Sequence, residues 1–223
     1  MTSDLSFQQQ PVNLPIFPLS GVLLLPGGDL PLNIFEPRYV AMIKAALAGD
    51  RLIGMIQPCP CSHKFADTVR PFYPVGCAGR ISSFEETPDG RFLINLHGVA
   101  RFELVSHKLT EQGYRMAEAD FKAFTDDFRE PEALPEHLTR PGMIDKLRDY
   151  LGREGLSIDW DLAEHIPDYR FYTLLAMICP FTPPEKQALL EAHTFEERCK
   201  MMKCLMDIAC AEEEGRNSME RPC

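Results

Sequence analysis

The sequence lacks any run of lysine and arginine. Its 23 basic residues are outnumbered by 33 acidic ones, which leaves a formal net charge of −10. Affinity for nucleic acid depends largely on clustered basic side chains, because these neutralise the backbone phosphates. We therefore expect no nucleic-acid partner.

The sequence also lacks the patterns of an exported or membrane-spanning chain. Residues 1–10 have neither a basic start nor an apolar stretch, and no later segment approaches the roughly 20 apolar residues needed to cross a bilayer. The eight cysteines are scattered along the chain, which is typical of reduced thiols in a protein large enough to fold without disulfides. We expect a soluble, cytoplasmic protein with no membrane partner.

Two signatures of enzyme chemistry are missing as well. The motif G-x-x-x-x-G-K-[ST], whose loop and lysine hold nucleotide phosphates, occurs nowhere. Ser20, Ser82 and Ser83 lie in predicted turns or strands without the pattern of a nucleophile elbow. We predict a protein without catalytic residues and without a cofactor.

Between residues 30 and 49 the apolar pattern changes its period. Residues 30–34 are predicted to be extended, because Pro31 disfavours helix in the residue before it and suits an edge strand. Pro37 fits the first position of a helix, and Gly49 fits a left-handed residue just past its end. The apolar stripe of this helix should pack on a sheet. It consists of Tyr39, Met42, Ile43, Ala46 and Leu47.

The rest of the first half is predicted to be β structure. Short apolar runs at residues 14–19 and 22–25 predict two strands, and residues 51–57 predict a buried one. Between residues 75 and 124, apolar side chains alternate around a hairpin turn at 87–90, which predicts an antiparallel meander. Several short strands with a single early helix are typical of a small barrel or curled sheet.

Every apolar pattern after Asp126 has helical spacing, and capping boxes begin at Thr182 and Thr194. Three methionines, Met201, Met202 and Met206, are predicted to be core residues of the last helix, which should end at Gly215. The predicted class is α+β. The predicted parts are a flexible leader (1–10), a β lobe with one early helix (11–125), a linker (126–138), a helical bundle (139–215) and a flexible tail (216–223).

Two phrases resemble one known family. LPLNIFEPRY at residues 30–39, with the apolar runs before it, resembles the opening of the Lon protease N-terminal domain family. EKQALLE at residues 185–191 is similar to the helical half of that family. The resemblance covers residues 12–214. It implies a PUA-like antiparallel β pseudo-barrel followed by an all-α helical bundle, in a stand-alone form without the ATPase and protease domains of the full-length protease.

The resemblance also implies a function. It suggests a non-catalytic module that binds unfolded or degron-bearing polypeptides, acts as an adaptor in protein quality control and has a Lon-type ATPase as a candidate partner. Phe35, Glu36, Arg38 and Tyr39 would then border a peptide groove. A purely structural interpretation of the same residues is that Glu36 accepts hydrogen bonds from the first turn, Tyr39 packs inward and Arg38 pairs with an acid.

Two alternative functions are retained. A PUA-like fold suggests RNA binding, although the acidic charge disfavours it. Cys59, Cys61 and His63 could hold zinc in a metal-dependent hydrolase, because thiolates and imidazole are zinc ligands. Structural zinc sites usually use C-x₂₋₄-C pairs, however, and side chains of alternate residues do not fit that spacing. We therefore expect no bound metal.

Overall fold

The computed structural model of the protein describes residues 11–59, 71–129, 140–153, 155, 158, 160 and 165–219; side chains are described for all of these except 141, 142 and 212–219. The strands are β1 (Val12–Pro18), β2 (Asp29–Ile34), β3 (Leu52–Ile56), β4 (Val75–Glu86), β5 (Phe92–Leu109) and β6 (Arg115–Asp120). The helices are α1 (Pro37–Leu47), α2 (Arg140–Arg153), α3 (Asp168–Ile178), α4 (Pro183–Glu191) and α5 (Phe195–Met219), and Lys122–Phe128 form a 3₁₀ helix.

The six strands form one sheet that closes on itself. Their order is β2-β5-β4-β3-β1-β6, and β6 also pairs with β5, which completes a five-stranded barrel. The α+β class is confirmed. The expectation of a wholly antiparallel barrel is wrong in one place, because β1 pairs with β3 in parallel. The chain between these two strands includes β2 and α1, which is the long crossover that a parallel pair requires.

β5 is long enough to take part in two structures. Its second half pairs with β6 and belongs to the barrel. Its first half, residues 92–97, lies between β2 and residues 80–86 of β4. We call this three-stranded extension, made of β2, residues 92–97 and residues 80–86, the strand arm. It projects β2 beyond the closed barrel.

Residues 22–25 are not a strand, which corrects the expectation from their apolar run. Leu24 and Leu25 are nevertheless fully buried, because the segment crosses the face of the sheet. The crossing occurs over Gly79 and Gly98, which are paired in β4 and β5. A Cβ atom on Gly98 would lie 2.7 Å from the carbonyl carbon of Leu25, so a side chain there would block the path.

In helix α1, four residues of the predicted stripe are buried, namely Tyr39, Met42, Ile43 and Ala46, and the fifth, Leu47, is half-buried. The helix ends at Leu47, so Gly49 lies just past its end as predicted, but the predicted left-handed conformation is wrong, because Gly49 does not have a positive φ angle and Arg51 does, at 59°. The N–H groups of Gly49 and Arg51 both donate to the carbonyl oxygen of Ala46. The chain therefore leaves the helix through a longer turn and reverses direction at Arg51.

The helical half is joined to the barrel mainly through α4. Gln57 of the barrel donates to the carbonyl oxygen of Pro183 at 3.0 Å and to Gln187 at 3.2 Å. Lys186 donates to the carbonyl oxygen of Gly21 at 2.9 Å. Buried polar groups are tolerated only when they are hydrogen-bonded, so these contacts fix the position of α4 on the barrel.

Both predicted capping boxes are present. Glu185 accepts a hydrogen bond from the Thr182 N–H at 2.7 Å, and the Glu197 N–H donates to the Thr194 hydroxyl at 3.1 Å. Helix α5 continues to Met219, past the predicted end at Gly215, because a glycine within a helix costs only about 1 kcal/mol relative to alanine.

The predicted lobe boundaries stay predictions. The leader (1–10), residues 130–139 of the linker, and residues 220–223 of the tail lie outside the described residues. Residues 126–128 of the predicted linker lie in the 3₁₀ helix.

Candidate functional site

The four residues predicted to border a groove lie where β2 ends and α1 begins, and they differ in what they offer a ligand. Phe35 is 64% exposed, although it is a large aromatic residue. It occupies the short connection between β2 and α1, in which neither element covers its ring. A side chain of this kind is available to a partner without any rearrangement.

Glu36 and Arg38 bind each other at the surface. Arg38 Nε and Nη2 donate to the same carboxylate oxygen of Glu36 at 3.0 and 2.7 Å. Glu36 accepts hydrogen bonds from the first turn, as the structural interpretation predicted, but through its backbone carbonyl, which accepts from the N–H groups of Tyr39 and Val40; its side chain makes no cap hydrogen bond. Such an exposed pair contributes little to stability.

Tyr39 points into the protein, as its place in the helical stripe predicted. Its ring packs edge-on against Phe17, with centroids 4.4 Å apart, and the Arg38 guanidinium lies 4.5 Å above it. Burial raises the pKa of the Tyr39 phenol. Tyr39 therefore supports the start of α1 from beneath, while Phe35 presents the apolar surface.

Further apolar surface lies beside Phe35 on the strand arm. Leu93 is 42% exposed and is paired with Asn33 of β2, two residues before Phe35, while Phe84 is 49% exposed on β4. A depression of about 560 Å³ lies over these strands. It is lined by Pro31, Leu32, Asn33, Ser83, Phe84, Glu85, Leu93, Ile94 and Asn95.

Sequence reasoning missed Phe84 and Leu93. Their alternation placed them in strands, and this placement is confirmed. Their exposure depends on which neighbouring strands and helices cover them, and that follows from the order of strands rather than from local pattern. A signal was nevertheless present, since Pro31 marked β2 as an edge strand and an edge implies an uncovered border.

Polar contacts hold the strand arm against the helical half. Asp29 of β2 contacts His97 Nδ1 at 3.0 Å and accepts from Arg170 of α3 at 3.2 Å. Burial raises the pKa of Asp29, but hydrogen bonds from His97 and Asn95 outweigh it and lower the pKa overall. The carboxylate is therefore charged at neutral pH, and the base of the arm is tied to α3.

A second apolar groove, of about 650 Å³, lies between α4 and α5. Met201 lines it and is half-buried, whereas Met202 and Met206 are fully buried. The prediction that these methionines are core residues is therefore confirmed for Met202 and Met206. The complete lining is Ala188, Glu191, Ala192, His193, Glu197, Lys200, Met201 and Cys204.

The zinc hypothesis stays a prediction. Cys59 is half-buried, and Cys61 and His63 lie outside the described residues. Cys77, the next cysteine after Cys61, is buried in β4, and burial raises the pKa of its thiol, which disfavours the thiolate that a metal would need. Within the part of the chain that the structure describes, no three His, Cys, Asp or Glu side chains are grouped so that they could bind a metal ion.

Among the described helices, none is both long and apolar enough to cross a membrane.

The fold resembles solved Lon N-terminal domains. The Lon N-terminal domain protein from Xanthomonas campestris superposes with a TM-score of 0.58 at 20% sequence identity, covering 86% of this chain and 96% of that one. The N-terminal domain of the Mycobacterium avium complex Lon protease gives a TM-score of 0.56 at 16% identity, covering 89% and 98%. At these identities the likeness concerns the fold.

Sequence comparison identifies the family of the chain. The Lon protease of Flavobacterium johnsoniae is 26% identical over an alignment of 222 positions, which covers 97% of this chain and 26% of that protein. The chain thus spans about a quarter of the length of this relative. The family model of the ATP-dependent protease La (LON) substrate-binding domain matches residues 13–207. The chain therefore belongs to the family of the Lon substrate-binding domain.

Proposed function

We propose that this protein is a non-catalytic module that binds unfolded or degron-bearing polypeptides through its strand arm. The observation that carries the proposal is the exposure of three large apolar side chains on and beside the strand arm, Phe35, Leu93 and Phe84, in a chain of the Lon substrate-binding family. Folded proteins bury most of their large apolar side chains, whereas unfolded ones expose them. Apolar surface on a binding module therefore favours the unfolded protein.

The chemistry of this surface suits clients of varied sequence. Apolar contact is non-directional and depends on the area removed from water. Burying one phenylalanine side chain contributes roughly 1.5–3 kcal/mol, so two or three such contacts give weak and reversible binding. Because this attraction is not ionic, salt should weaken it little.

We further propose an adaptor role in protein quality control, with a Lon-type ATPase as a partner. Support comes from the Flavobacterium johnsoniae relative, which is named Lon protease and is about four times as long as the matched region. In this proposal the present chain supplies recognition of the polypeptide. Nucleotide hydrolysis and peptide cleavage are supplied by the partner.

The test is binding of a fluorescently labelled, reduced and carboxymethylated protein, measured by anisotropy against the native form of the same protein. The unfolded form should bind and the native form should not, and raising NaCl from 0.1 to 0.5 M should change the affinity less than about twofold. Phe35→Ser should weaken binding roughly tenfold or more, from the loss of one buried aromatic contact.

Ile178→Ser is the matched control, because Ile178 is equally apolar and 53% exposed but lies on α3. It should bind as the wild type does. ATPase and peptidase assays of the purified protein should give no activity. Equal binding of the unfolded and native forms would refute the proposal.

A further inference from the structure

The strand arm has two outer borders, because it lies beyond the strands that close the barrel. One border is β2, the first strand in the sheet order. The other is residues 82–86 of β4, since β3 pairs with β4 only as far as Arg80. Between residues that the structure describes, the last backbone hydrogen bond on that side runs from the Ile81 N–H to the Arg51 carbonyl oxygen at 2.8 Å. Residues 82–86 are all exposed.

The direction of the backbone groups along this border follows from the hairpin. The Thr87 N–H donates to the Arg91 carbonyl oxygen at 2.9 Å, so Thr87 faces β5. In an antiparallel pair, the residues that bond to the partner alternate with residues that face away. Glu85 therefore also faces β5, while the N–H and C=O groups of Phe84 and Glu86 point outward.

The opposite border is less suited to pairing. Pro31 lies in the middle of β2 and has no N–H group. Proline on an edge strand is a recognised way of preventing a further strand from adding there. Residues 82–86 contain no proline, and so their outward groups can accept an additional strand.

The side chains of this border indicate what kind of segment fits. Phe84 is half-exposed beside the free edge, which suits an apolar neighbour. Glu85 points to the opposite face, where it is paired with Leu93 and exposed. Glu86 lies 3.6 Å from Lys44 of α1 and is thus already compensated in charge. Among the residues that the structure describes, Glu85 has no ion-pair partner, so a basic side chain beside it would complement its carboxylate and the net charge of −10.

We propose that residues 82–86 of β4 bind an extended client segment as an additional strand, and that they select segments in which apolar and basic side chains alternate. Backbone hydrogen bonds to Phe84 and Glu86 provide sequence-independent affinity, and the contacts with the Phe84 and Glu85 side chains provide the preference. This inference rests on the proposed function and names the class of segment that is bound.

The test compares three variants with a labelled peptide of alternating valine and lysine. Phe84→Pro removes one outward N–H, which an edge strand tolerates, and should weaken binding at least tenfold. Asn33→Pro places proline on the border formed by β2, which also lines the depression, and should weaken binding less than Phe84→Pro does. Glu85→Lys should reverse the preference, so that the analogue of alternating valine and glutamate binds more tightly than the lysine peptide.

The outcomes separate this inference from the proposed function. If the wild type binds the carboxymethylated protein but Phe84→Pro binds the peptide equally well, this edge is not the site and the proposed function stands. If Asn33→Pro lowers the affinity for the peptide more than Phe84→Pro does, the peptide binds at the border formed by β2, and the inference is overturned. If the wild type binds neither ligand, the proposed function fails as well. If Phe84→Pro melts at a lower temperature than the wild type, its weaker binding could come from lost stability, and the peptide preference of Glu85→Lys is then the test. If Glu85→Lys still prefers the valine–lysine peptide, the inference is overturned.

Discussion

Asp127→Ala should be among the most destabilising single substitutions in this protein. Arg101 of β5 and Asp127 of the 3₁₀ helix form an ion pair in which their side chains are only 4% and 9% exposed. Arg101 Nε donates to one Asp127 oxygen at 2.9 Å and Nη2 donates to the other at 2.7 Å. Arg101 Nη1 also donates to the carbonyl oxygens of Leu190 and Ala192, at the end of α4.

The magnitude follows from what remains after the substitution. Removing one partner of a buried ion pair leaves an uncompensated charge and costs about 3–5 kcal/mol. The matched control is Asp126→Ala, since Asp126 pairs with Arg129 at 2.7 Å but the two side chains are 78% and 75% exposed. An exposed pair contributes about 0–1 kcal/mol.

Urea unfolding followed by circular dichroism measures both effects. With a denaturant slope of about 2 kcal/mol per molar, the midpoint of Asp127→Ala should fall by about 1.5–2.5 M. The midpoint of Asp126→Ala should fall by less than about 0.5 M. Equal shifts for these adjacent aspartates would refute the reasoning that loss of Asp127 leaves an uncompensated buried charge on Arg101.

Four further predictions concern packing, thiol reactivity, the pH dependence of stability and capping. Gly98→Ala should lower the free energy of unfolding by about 1–3 kcal/mol or more in the same urea assay, because its Cβ would clash with the Leu25 backbone. The control is Gly152→Ala in α2, where the space around the glycine is open; it should be neutral or stabilising by up to about 1 kcal/mol. Burial raises the pKa of Cys199 to about 12, so mass-spectrometric mapping at pH 8 should find exposed Cys204 alkylated well before Cys199. Because the pKa of this thiol is higher in the folded than in the unfolded protein, its contribution to stability is fully present below about pH 8.5 and is lost as the pH rises further. Cys199→Ala should therefore lose less stability than the wild type between pH 8.5 and 10. Identical losses would contradict this. Thr194→Ala should cost about 1 kcal/mol through loss of its hydrogen bond to the Glu197 N–H, and an unchanged melting temperature would contradict that role.

Local features of this fold could be predicted from the sequence. The buried stripe of α1 follows from the spacing of its apolar residues, and the capping boxes at Thr182 and Thr194 follow from residue types three positions apart. The hairpin turn at residues 87–90 is equally local, and Gly90 has the expected positive φ angle of 81°. In each case the interacting groups are close in the sequence.

Features that depend on distant segments could not be predicted. The parallel pairing of β1 with β3 and the crossing of residues 22–25 over Gly98 are decided by the closure of the barrel. The pairing of Arg101 with Asp127 requires two segments that no sequence pattern relates. For the candidate site, the sequence indicated Phe35, but Phe84 and Leu93 could be recognised only once the strand order showed which surfaces stay uncovered.

The most direct test of polypeptide binding by the strand arm is amide hydrogen exchange of the wild-type protein with and without a saturating amount of the reduced, carboxymethylated client. We expect slower exchange in residues 31–35 and 82–86 when the client is bound, and unchanged exchange in residues 201–204 of the groove between α4 and α5. Slower exchange confined to that helical groove, or no change anywhere in the strand arm, would contradict the assignment.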